Sequence, residues 1–213
     1  MSDFESFLTG EYASHFGVMW NTARMSVRKE SPAAIRFEIE DQQPTIVQPA
    51  GKGVSVYRRT EESVEIIDID DFTKQVHGTA NTPSSCDFAV TPVIGTSFLI
   101  LNELTRTKSG YILRFRQPDT GEEQDGKLEK ARHQLTNTIN RFYEVSDFCD
   151  CFNDKIALFS CRLSDKPSKG IMARSAKMFN RTIDKLQRMI LHEELPHGFV
   201  FKMRVYDVEY KLV

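Results

Sequence analysis

At 213 residues the chain is long enough to bury a substantial apolar core as one domain without disulfide or metal staples. Its 28 Lys and Arg against 30 Asp and Glu leave a formal charge of -2, which excludes a globally basic polyanion binder and confines any nucleic-acid surface to a local patch. The longest apolar runs, such as Ser97–Leu101, fall far short of the roughly 20 residues that cross a bilayer.

The N-terminal stretch mixes Asp3, Glu5 and Glu11 into its hydrophobic residues and lacks a secretory pattern, so a reducing, cytoplasmic setting is expected. Four cysteines stand at 86, 149, 151 and 161. Cys149 and Cys151 are too closely spaced for a zinc finger and lack a matching second pair. Buried small hydrophobes in a reducing compartment are the expected role.

In chain order, Phe4, Phe7, Leu8, Tyr12 and Phe16 recur at helical intervals after a Ser2 cap, which predicts a helix over 3–18 with an aromatic face. Ile35 to Ile39 alternate as a strand, and Pro44, Pro49, Gly51 and Gly53 mark the loop after it. Val54–Tyr57 and Val64–Ile69 alternate on either side of a polar tip, as a hairpin or as consecutive strands. After the turn at 81–85, Cys86–Val90 and Phe98–Leu104 are short and apolar enough to be buried strands.

Gln117–Gly126 is polar and rich in turn formers, and reads as an exposed loop. From 127 to 142, Leu128, Ala131, Leu135, Ile139 and Phe142 step by three and four, the signature of a helix with one buried stripe. Lys155–Cys161 is the next strand. Met172, Ala176, Phe179, Ile183, Leu186 and Ile190 define a further helix, followed by Pro196, His197 and Gly198 and a terminal strand with Phe199, Phe201, Met203 and Val205 alternating. This order predicts an α/β fold, a mixed central sheet flanked by helices, in one domain spanning 1–213.

Two carboxylates interrupt the apolar strands: Asp87 beside Phe88, and Glu103 after Ile100–Asn102. A carboxylate within an apolar strand costs several kcal/mol unless it is paired or binds a cation. Two of them on neighbouring strands invite a divalent metal. The alternative is a pair of strand-end carboxylates neutralised by Arg106 or Arg132.

Cys86-Asp87-Phe88, the strand Phe98 to Glu103-Leu104-Thr105, the helix with Gln134-Leu135, and the following strand 155–159 together resemble the PD-(D/E)XK nuclease superfamily over residues 64 to 162. The resemblance implies a restriction-endonuclease-like core (about 54–162), with the 3–18 helix and the 171–213 segment as additions. It further implies Mg²⁺- or Mn²⁺-dependent hydrolysis of DNA, in a restriction, repair or phage-defence setting, with Asp87, Glu103 and the backbone carbonyl of Leu104 as metal ligands. Gln134 would face the site. Thr105 stands where the family carries its catalytic lysine; Lys108, Lys127 and Lys130 are within sequence reach as replacements, and Lys130 is the best placed because it lies one helical turn before Gln134, on the same face. The departure keeps a second expectation open: a catalytically degenerate nuclease-fold subunit that binds DNA or a protein partner, in a multi-subunit complex or a homodimer.

Other chemistries lack their motifs. His77, His133, His192 and His197 have no helix-borne metal spacing, Ser84-Ser85 has no nucleophile-elbow context, and no glycine-rich phosphate loop occurs. Arg174, Lys177, Arg181, Lys185 and Arg188 share one face of the last helix, opposite its apolar stripe. That face is either solvated or a contact surface for DNA phosphates.

Overall fold

The computed structural model describes residues 3–17, 25–48, 50–117, 120–164, 193–205 and 209–212. The last predicted helix, with its five basic residues, lies outside the described residues, as does position 18 of the first.

The N-terminal segment runs from α1 (Asp3–Phe7) through a π-turn (Leu8–Tyr12) into α2 (Ala13–Phe16). Thr9 Oγ1 donates back to the Glu5 carbonyl at 2.9 Å within this widened stretch. The strands and helices that follow are β1 (Lys29–Glu30), β2 (Arg36–Ile39), β3 (Ser55–Arg58), β4 (Val64–Asp68), α3 (Ile69–His77), β5 (Phe88–Pro92) and β6 (Phe98–Thr107). After them come β7 (Phe115–Arg116), β8 (Glu123–Gln124), α4 (Lys127–Val145), β9 (Asp154–Leu163), β10 (Glu193–Glu194), β11 (Val200–Val205) and β12 (Tyr210–Lys211).

The fold is mixed α/β, dominated by a seven-stranded sheet in the order β1-β4-β5-β6-β9-β11-β10. β4, β5 and β6 form an antiparallel meander; α4 then crosses over, and β9 returns parallel to β6 with β11 parallel to β9. Leu99 and Leu101 of β6 join α4 and the N-terminal helical segment in one apolar core, while Phe98, Ile100 and Leu104 join the second core on the other face. Burial on both sides explains why this strand reads as a continuous apolar run rather than an alternation. The sheet draws its strands from residue 29 to residue 205, well beyond 54–162.

α4 buries Leu128, Ala131, Leu135, Ile139 and Phe142, the stripe its sequence marks, and continues three residues past 142. Phe4 and Phe7 meet Phe142 edge-on at 5.7 and 5.6 Å. Gly126 caps the helix where a Cβ would lie 2.3 Å from the Ile112 carbonyl oxygen, so any side chain there must displace the backbone. All four cysteines are free, and Cys86, Cys149 and Cys161 are buried, as expected of small hydrophobes.

Three sequence expectations need revision. Val54–Tyr57 and Val64–Ile69 are consecutive strands but not a hairpin: β3 pairs with β2 and β12 in a separate three-stranded sheet, and β4 pairs with β1 and β5. The alternation stops at Asp68, whose side chain accepts from the Asp71 amide at 2.9 Å and caps α3, so Ile69 opens a helix rather than ending a strand. Within the polar 117–126 segment, Glu123–Gln124 pairs with Phe115–Arg116 as a short ribbon.

The small sheet covers the second core and carries one fully buried carboxylate. Glu38 is 1% exposed, and it accepts from the amides of Gly51 (2.8 Å) and Gly53 (3.0 Å) and from Arg36 Nη1 (3.0 Å). Burial pushes its acidity one way, but the Gly53 and Gly51 amides and Arg36 outweigh it and hold the carboxyl below its ordinary range. A Cβ on Gly53 would approach that of Glu38 to 2.6 Å, which keeps this donor a glycine.

Candidate active site

The β5–β6 register pairs Phe88 with Asn102, so Asp87, one residue before β5, falls opposite Glu103. Side chains alternate along a strand, and both carboxylates therefore project to the face covered by α4, the face of Ala89 and Leu101. The Leu104 amide donates to Asp87 Oδ2 at 2.6 Å. The Asp87 carbonyl accepts from the amides of Ile69 (2.9 Å) and Asp70 (3.3 Å), which fastens the start of α3 to the same point.

α4 holds the approach to β5 from the other side. Gln134 Nε2 donates to the Ser85 carbonyl at 3.2 Å, and the Cys86 amide donates to Thr138 Oγ1 at 2.9 Å. Asn137 Nδ2 reaches Ser84 Oγ at 2.9 Å, and Arg141 Nη2 the Ser84 carbonyl at 3.2 Å. Gln134 also acts on the Glu103 carboxyl, favouring its charged form. Asp87 is thus positioned by β4, α3, β6 and α4 together, not by its own strand alone.

Among the described residues the pair lacks a counter-charge. Glu103 is 9% exposed, and its Oε2 is buried without a hydrogen-bond partner. Burial raises its carboxyl well above the ordinary range, the Asp87 charge adds to this, and Gln134 opposes it. Burial likewise raises Asp87, against the pull of the Leu104 amide, and the charges of Asp41, Asp70 and Asp68 raise it further.

Neither arginine of the ion-pair alternative neutralises the pair. Arg106 goes to Glu40 and the Lys52 carbonyl, and Arg132 bridges Glu129 and Glu193. Among the described residues no Lys or Arg forms an ion pair with Asp87 or Glu103. Two buried carboxylates side by side can then share a proton or hold a cation; both ionised and bare is the costly state.

The structure brings Asp87, Glu103, Leu104 and Gln134 to one end of the β5–β6 pair. Thr105 is half-buried and two residues beyond Glu103, on the same face of β6. Lys130 lies one turn before Gln134 on α4, exposed, with no ion pair among the described residues. No third His, Cys, Asp or Glu converges with the two carboxylates among the described residues.

The sequence pattern misses Asp41, Asp68 and Asp70, whose charges act on the pair, and the Thr138, Asn137 and Arg141 contacts that fix residues 84–86. The Asp68-Ile69-Asp70-Asp71 run carries the signal for Asp68 and Asp70, because an acidic residue followed by acids in a first turn is a helix start. No known family model matches the chain, and no curated protein or solved structure is similar to it.

Proposed function

We propose that this protein is a Mg²⁺- or Mn²⁺-dependent nuclease that hydrolyses DNA phosphodiester bonds, with Asp87 and Glu103 at its centre. The observation that carries the reading is the buried, uncompensated Asp87–Glu103 pair, held across a meander that is followed by a helix and a parallel strand. That arrangement supports a restriction-endonuclease-like core of the PD-(D/E)XK kind. The donor chemistry fits the ion: hard oxygens of two carboxylates, one with an oxygen lacking any other partner, together with the Leu104 carbonyl.

A bound divalent ion would supply charge neutralisation at the scissile phosphate and a water of lowered pKa. The chain's own residues supply the rest. The Leu104 amide fixes the orientation of Asp87, Gln134 favours the charged form of Glu103, and the α4 contacts to Ser84 and Ser85 keep both from swinging apart. Lys130 is the ammonium proposed to offset transition-state charge in place of the absent strand lysine, and Arg174, Lys177, Arg181, Lys185 and Arg188 are the proposed phosphate contacts.

One observation favours a second reading, a nuclease-fold subunit that binds DNA or a protein partner without cutting. Thr105 offers a hydroxyl where a cation is needed, and Lys130 stands free of both carboxylates among the described residues.

The test is cleavage of plasmid, linear and single-stranded DNA with Mg²⁺, Mn²⁺ or a chelator, alongside calorimetric titration of Mn²⁺. Metal-dependent cleavage in the wild type that falls by at least about a thousandfold in Asp87→Ala supports the enzyme. Mn²⁺ binding and DNA binding without cleavage point to the second reading. Cleavage that survives Asp87→Ala, or a wild type that takes up no Mn²⁺, ends the assignment of the pair.

A further inference from the structure

On the opposite face of the large sheet, a cavity of about 360 Å³ opens between β6, β9, β11 and β12. This is within the roughly 300–1,000 Å³ range of small-molecule sites, at its lower end. The floor is apolar, formed by Phe98, Ile100 and Ile156. Its position near the starts of β6 and β9 sets it apart from Glu103, which is three residues further along β6 and on the other face.

The rim is basic. Lys202, Arg204 and Lys211 line the cavity, against Asp154 and Glu209. Glu209 is already taken by Arg36 at 2.9 Å and Arg58 at 2.8 Å, so among the described residues Asp154 is the rim carboxylate left to oppose three cations. Arg204 donates through Nη1 to the Met203 carbonyl at 3.0 Å, but its Nε is buried and has no partner among the described residues. A buried guanidinium donor left unpaired costs stability unless something accepts from it.

The Tyr210 ring stands among these cations. Lys202 Nζ lies 5.4 Å and the Arg204 guanidinium 5.6 Å from its centroid, and Lys202 donates to its hydroxyl at 3.2 Å. The cations are thereby held close together without neutralising one another. Such a site offers a flat apolar floor, an aromatic wall and an excess of positive charge greater than one carboxylate would cancel.

We infer that this cavity binds a small phosphate monoester carried on a flat apolar body, with Arg204 and Lys202 on the phosphate and the Phe98–Ile156 floor under the body. The dianion matches the excess of cations, the Arg204 fork suits phosphate oxygens, and the floor excludes a fully hydrated inorganic ion. The site is independent of the acid pair and of any reaction there.

The probe is phenyl phosphate, titrated into the full-length protein with a chelator present and followed by amide chemical shifts. Saturable binding is expected, with shifts concentrated at Ile100, Ile156 and Tyr210, and with weaker binding of inorganic phosphate, benzoate and phenol. Arg204→Gln should weaken it at least about tenfold, the loss that accompanies removal of a charge-assisted contact to a bound anion. Lys202→Gln, at a half-exposed position, should weaken it several-fold and serves if Arg204→Gln fails to fold by circular dichroism. Asp87→Asn should bind phenyl phosphate as the wild type does. Absence of binding to the wild type, equal affinity for inorganic phosphate or benzoate, or undiminished binding in the folded variants would overturn the site.

Discussion

Glu38 and Glu103 are both buried glutamates on strands, and they sit in opposite electrostatic states. Glu38 receives two backbone amides and an arginine, and its carboxyl is held below the ordinary range. Glu103 has Gln134 to favour its charge, faces Asp87, keeps an oxygen with no partner, and is raised well above it. Burial is common to the two, so burial by itself does not mark a site. What separates them is whether the surroundings complete the charge: Glu38 is a finished structural element, whereas the Asp87–Glu103 pair is complete only with a proton or a cation.

The comparison breaks most visibly in stability. Glu38→Gln leaves the Gly51 and Gly53 amides facing an amide group and Arg36 with Glu209 alone, and should cost about 3 kcal/mol in urea unfolding. Glu103→Gln removes a desolvated charge and should leave the metal-free protein as stable as the wild type or more so. Equal destabilisation by both substitutions would mean that Glu103 is a structural carboxylate like Glu38.

A pH series sharpens the contrast, and the signs are opposite. The raised carboxyls of Asp87 and Glu103 bind more protons folded than unfolded above about pH 4, so their stabilisation is present at low pH and lost as pH rises through their folded values. Glu38, held low, stabilises above about pH 4 and is lost as pH falls. Between pH 5 and 8 the metal-free protein should therefore lose on the order of 2 kcal/mol through the pair. Glu103→Gln should flatten that slope while Glu38→Gln leaves it, and Mn²⁺ should restore stability most at the high end. A slope insensitive to Glu103→Gln would place the titration elsewhere.

The smallest effect concerns the missing cation. Lys130→Ala should lower the cleavage rate about tenfold with no change in melting temperature, and Thr105→Lys should raise it by a similar factor. An unchanged rate in both variants assigns Lys130 to solvent and leaves the pair without an ammonium partner.

The elements with strong local patterns were legible. The α4 stripe, the apolar β6 run and the alternation of β11 follow from residue spacing, and so does the placement of Asp87 and Glu103 on neighbouring strands, because the intervening chain is too short for much else. α3 was hidden because Val64–Asp68 sets a period of two that Ile69 continues, and the helix begins only through the Asp68 cap. The partners of β3 were not legible for a different reason: β12 lies more than 150 residues away, and two residues carry too little pattern to specify a register. The state of Glu38 depends on amides of a loop, which no side-chain pattern encodes. The basic cavity likewise gathers side chains from residue 98 to residue 212.

The bond from the Leu104 amide to Asp87 also bears on the order of assembly. It spans 17 positions within one contiguous meander, whereas β11 joins β9 only after some 40 further residues have been threaded. Closure entropy grows with separation, which favours early formation of the meander. Two carboxylates are then brought face to face before α4 can lend Gln134 to either. A shared proton removes their repulsion at that stage, so closure of the meander before α4 docks should be favoured by acid.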